Sequence, residues 1–76
     1  MERKEVIKNL LDLAERAIIE SELKEKFKWS LYLKETEKGN TQEADKNKME
    51  FAAQKRGRQD VYEPWKTLLE EELKGL

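Results

Sequence analysis

The chain contains neither histidine nor cysteine. General acid–base work would therefore fall to Asp, Glu, Lys or Tyr, and a nucleophilic hydroxyl would lack its usual imidazole base. The hydroxyls of Ser21, Ser30, Thr36, Thr41 and Thr67 sit among charged neighbours rather than in the glycine-shaped elbow that exposes a catalytic serine. Carboxylates at helical spacing do occur, as in Asp12 and Glu15, but with 43% charged residues chance supplies many such pairs. These residues give no reaction a recognisable acid, base or nucleophile, and the expectation is a protein that is not an enzyme and carries no cofactor. Metal binding is not expected either, because thiolate and imidazole ligands are absent and no Asp-rich loop of the calcium type is present.

Binding chemistry is better represented. Lys55-Arg56-Gly57-Arg58 is a short basic cluster. If the chain folds back on itself, Lys24 lies opposite Arg56, with Lys26 and Lys28 close by. Residues 24 to 58 hold ten basic and six acidic side chains, a local surplus of four positive charges in a chain whose net charge is −1. Lys24, Lys28, Lys55, Arg56 and Arg58 are thus the candidate phosphate contacts of a nucleic-acid-binding alternative. Against it stand the slightly acidic whole and the absence of aromatic residues interleaved with the cluster. Ala53 and Gly57 have the Ala-x-x-x-Gly spacing of a helix-turn-helix turn, but Arg58 and Glu63 fall where that motif wants apolar packing. The acidic run Glu70-Glu71-Glu72 reads as a solvated face, partly neutralised by Arg3, Lys4 and Lys8.

The elements that position these residues read as helices. One proline and three glycines in 76 residues are too few for the turns of an all-β fold, and the abundant Lys and Glu are good helix formers. A first helix is expected over about residues 2–38. Its apolar residues Val6, Ile7, Leu10, Leu11, Leu13, Ala14, Ala17 and Ile18 span an arc of roughly 160°, wider than the ~100° stripe that one neighbour covers. Lys38-Gly39-Asn40-Thr41 is the clearest break: Gly39 or Asn40 suits the left-handed position after a helix, and Thr41 suits an N-cap. A second helix follows over about 42–57. A kink or break is expected between Gly57 and Pro64, then helix again over about 64–75, where Trp65, Leu68, Leu69, Leu73 and Leu76 are amphipathic.

Folding at 39–41 makes an antiparallel hairpin in which residues whose numbers sum to about 80 face each other. Leu31 then meets Met49, Phe27 meets Ala53, Ile19 meets Val61, Leu11 meets Leu69 and Ile7 meets Leu73, while Trp65 sits near Ala14 and Ala17. The alternative is a three-helix bundle with a break near Ser21. One stretch, Phe27 to Leu33, alternates apolar residues at odd positions like a half-buried strand, yet no later segment alternates to pair with it.

The sequence therefore predicts a single all-α domain, 1–76, built as an antiparallel helical hairpin that dimerises into a four-helix bundle. Charged residues interrupt Val6 to Ile19, which excludes a secretory core or membrane span and points to the cytoplasm. The predicted function is a small protein–protein interaction module, an adaptor, inhibitor or assembly factor. Trp29, Tyr32 and Leu33 are its candidate partner-binding surface, because two large apolar groups there point away from the seam and aromatic residues of this kind anchor interfaces.

Overall fold

The computed structural model describes residues 2–76. Helix α1 spans Arg3–Lys38, α2 spans Thr41–Gly57, a single π-helical turn covers Arg58–Tyr62, and α3 spans Glu63–Lys74. Helix α1 runs up one side, and α2, the wide turn and α3 form one continuous arm down the other. The chain is an all-helical hairpin, a rod of 55 × 16 × 14 Å. Among the described residues no helix is long and apolar enough to cross a membrane.

The hairpin closes through the residues the sequence marks. Gly39 takes the left-handed conformation at φ 80°. Its N–H donates to the Thr36 carbonyl at 3.1 Å and the Asn40 N–H to the Glu35 carbonyl at 2.9 Å. This pair of bonds is the Schellman motif, and it satisfies two carbonyls that the end of α1 would otherwise leave unpaired. Asn40 rather than Thr41 caps α2: its carbonyl accepts from the Ala44 N–H, and Thr41 is already helical. The Asn40 side chain is engaged backwards with Glu35 at 2.7 Å, so the new helix starts without a side-chain cap.

The structure decides between the alternatives that the sequence leaves open. The three-helix alternative fails because α1 passes through Ser21 without interruption, the serine side chain being held across the seam instead. Residues 27–33 are helix, not strand. The stretch from Gly57 to Pro64 neither breaks nor leaves the helical backbone: Gly57, Arg58, Tyr62 and Glu63 all have right-handed helical angles. A π turn takes the place of a break. Pro64 has no N–H, and its ring would collide with the carbonyl four residues back in an ordinary helix. Widening the preceding turn, with the Glu63 N–H reaching back five residues to the Arg58 carbonyl, lets the helix pass.

The inward face follows a strict pattern. On α1 the buried and half-buried positions include 7, 11, 14, 18, 21, 25, 28, 32 and 35; on the other arm they include 44, 47, 51 and 54 of α2 and 58 of the π turn. Steps alternating between three and four residues are the period of a coiled-coil seam. The expected register holds toward the chain termini, where Ile7, Leu11, Ala14, Trp65, Leu69 and Leu73 pack together. Nearer the turn an unexpected pair, Trp29 and Phe51, meets instead, and from the middle to the turn the predicted facing pairs fail. Ile19 and Val61 are each 58% exposed, and Phe27 and Met49 more so. Ile19 falls outside the seam's three-four pattern, and the extra residue of the π turn brings Tyr62 inward in place of Val61.

Candidate functional site

The middle of the seam is polar. Ser21 and Glu25 on α1 are buried, and Gln54 and Arg58 cross from the other arm to meet them. Arg58 donates from Nε to Glu25 Oε2 at 2.7 Å and from Nη2 to Oε1 at 3.1 Å, a two-pronged pairing that fixes both side chains in one plane. A third donor, Nη1, reaches Glu63. Residues five apart lie roughly 140° apart around an ordinary helix, so it is the π turn that brings Glu63 back over Arg58. Gln54 Nε2 donates to Ser21 Oγ at 2.9 Å, and the single Ser21 hydroxyl proton lies between Glu25 Oε2 and the Gln54 carbonyl, each at 3.3 Å. Among the described residues no buried side-chain nitrogen or oxygen lacks a partner.

The electrostatics follow from this geometry. The hydrogen bonds from Arg58 hold the Glu25 carboxyl below its ordinary value against the opposing effect of burial, with Ser21 and Lys55 adding to the shift. Arg58 is raised in turn, chiefly by Glu25 and also by Glu63. Glu50 is lowered by the hydrogen bond from Lys28 across the helices. Glu25, Arg58, Lys28 and Glu50 thus each have a charged partner within the hairpin.

That arrangement bears on the basic residues. Arg58 is 16% exposed and committed to two carboxylates, and Lys28 is bridged to Glu50. The remainder do not form one patch. Lys24 and Lys28 line a groove on one side of the rod with Phe27, Ala53 and Gly57, whereas Lys55 and Arg58 line a groove on the other side with Trp29 and Phe51. Arg56 is exposed.

Trp29, expected with Leu33 to point away from the hairpin, is partly enclosed by it, as is Tyr32. Trp29 stacks on Tyr32 with ring centroids 5.0 Å apart and on Phe51 of α2 at 5.1 Å, and Lys48 Nζ sits 5.8 Å from the centre of the Tyr32 ring. Trp29 nevertheless keeps 41% of its surface exposed and Leu33, one helical turn further on, 48%. The residues predicted to face a partner thus lie at an aromatic cluster anchored by Phe51, its outer edge open. The sequence reading passed over Phe51, Ser21, Glu25 and Gln54. The signal that finds them is the three-four spacing itself, followed through polar positions instead of apolar ones alone.

The rod as a whole carries more surface than its mass requires. A folded monomer of 9.1 kDa exposes about 4,900 Å², and this chain exposes 5943 Å². Among the described residues, the buried apolar core is Ile7, Ala14, Ala44 and Leu69. Val6, Leu13, Ile19, Leu23, Phe27 and Leu68 stay uncovered. Comparison with protein-family models, with curated proteins and with solved structures finds no match.

Proposed function

We propose that this chain is a non-enzymatic interaction module of the cytoplasm, a helical hairpin that dimerises and binds a protein partner through helical apolar surface. The observation that carries this reading is the roughly 1,000 Å² of surface beyond the expectation for its mass, which is on the scale of the ~800 Å² that each partner buries in a standard interface. The partner-facing surface is the outer edge of the cluster formed by Trp29 and Tyr32, with Leu33. An aromatic ring already fixed by Phe51 loses little side-chain freedom on binding, which is what makes such residues effective anchors.

Phosphate binding is the weaker reading, because Arg58 and Lys28 are already neutralised and the other basic residues lie on two different sides. Affinity capture from cells of origin, comparing the parent chain with Leu33→Glu at low and physiological salt, tests the two together. The expected result is a protein retained by the parent chain at both salt concentrations and lost from the variant, with helix content by circular dichroism unchanged. Equal retention by both chains overturns the assignment of this surface. Retention of nucleic acid that is released steeply by salt overturns the protein-binding reading in favour of phosphate contacts.

A further inference from the structure

The two halves of the rod differ in charge. The half around the turn, residues 24–58, has an excess of four positive charges; the remaining residues, at the other end, carry six basic and eleven acidic side chains. One side of the rod repeats this division at close range. Its groove near the waist is lined by Lys24, Phe27, Lys28, Glu50, Ala53 and Gly57; Lys28 pairs with Glu50, which leaves the charge of Lys24. Its groove near the chain ends is lined by Arg3, Leu68, Glu71, Glu72 and Leu76; Arg3 pairs with Glu72 at 2.8 Å, which leaves the charge of Glu71. Val6, Leu13 and Phe27 recur at multiples of seven residues, so they fall on one flank of α1.

We infer that this side is the interface with a second copy of the chain, laid antiparallel so that the Lys24 end of each rod meets the Glu71 end of the other. The inference rests on the reading of the chain as an associating module. It names the occupant of the flank that does not hold the Trp29 cluster. A twofold axis brings the basic groove onto the partner's acidic groove twice over, and the uncovered apolar residues between them meet each other. A parallel pairing sets like charge on like charge at both ends. A side of 55 × 16 Å has room for the ~800 Å² per partner of a standard interface. A chain of this size with no cysteine and so small a buried apolar core would gain stability from such a contact.

The test uses charge exchange, read by sedimentation equilibrium of the full chain. Lys24→Glu and Glu71→Lys should each weaken the dimer about fivefold or more, since each change occurs twice in the symmetric contact, and the double variant should recover it. In a parallel dimer residue 24 faces residue 24, so neither single exchange alters the sign of the repulsion and no rescue follows. Orientation is read separately by energy transfer between differently labelled molecules carrying dyes at the exposed positions 5 and 36, which lie roughly 45 Å apart along one helix. Strong transfer from 36 to 5 across molecules is expected. Strong transfer from 36 to 36, or a monomer at every concentration up to the millimolar range, overturns the inference. Because these variants lie away from the Trp29 side, loss of the dimer with partner capture intact separates a failure here from a failure of the partner-binding reading.

Discussion

Two regions of one seam, its terminal end and its waist, hold this hairpin by different means. Toward the chain termini, Ile7, Ala14 and Leu69 are buried with Leu10, Leu11, Trp65 and Leu73 packed on them. At the waist the same seam positions carry Ser21, Glu25, Gln54 and Arg58. Apolar burial is non-directional and scales with area, so the terminal end supplies stability that tolerates sliding. Hydrogen-bonded charges tolerate none: shifting one helix by a single position would leave Glu25 buried without Arg58. The comparison teaches that stability and register are divided between regions of one continuous interface.

The largest effect is expected where the apolar end is opened. Trp65→Ala should cost about 3 kcal/mol by chemical denaturation, because a large ring is removed from a packed cluster. A loss below about 0.5 kcal/mol would place that ring outside the seam and erase the distinction. Next comes the waist. Glu25→Ala should cost on the order of 2 kcal/mol, less than the full penalty for an orphaned buried charge, because Arg58 keeps Glu63 and some access to solvent.

Acid tests the same network without mutation. The folded-state values of Glu25 and Glu50 lie below the ordinary one, so the stability they contribute is complete above the unfolded carboxylate range near 4 and is lost as pH falls through the lowered values. Thermal melting from neutral pH down to about 2 should show this loss, and Glu25→Gln should flatten it. Replacing Glu25 and Arg58 together by Leu sharpens the comparison further. That double variant should be at least as stable as the parent chain, while distance measurements between labelled helices should broaden, because a leucine seam no longer specifies a single register. The smallest effect belongs to Gly57→Ala, expected to stabilise by about 0.5 to 1 kcal/mol: the residue is helical, and an added methyl meets no atom within 4 Å.

Much of the architecture was legible before any coordinates. Gly39 between two Lys- and Glu-rich helical segments fixes where the chain reverses, since a left-handed residue is needed there and glycine supplies it without strain. The pairing of Ile7 and Leu11 with Leu73 and Leu69 follows from equal rise per residue on both helices. The exposure at Trp29, Tyr32 and Leu33 was only partly legible: the group is half open, but Trp29 is anchored by Phe51, which the apolar pattern of α2 did not single out.

What the sequence determined by itself was composition-level chemistry: helix throughout, one reversal, no imidazole or thiol, and apolar surface in excess of one seam. Only the tertiary structure decided which way each helix turns about its axis. Helical periodicity alone does not distinguish an inward serine or glutamate from a solvated one, since burial of a polar group becomes acceptable only when its partner arrives from the other strand of the hairpin. The π turn before Pro64 is the second such decision. One extra residue in the helix moves Tyr62 in, Val61 out and Glu63 over Arg58, and no local pattern announces it because its compensation lies on α1, at Glu25.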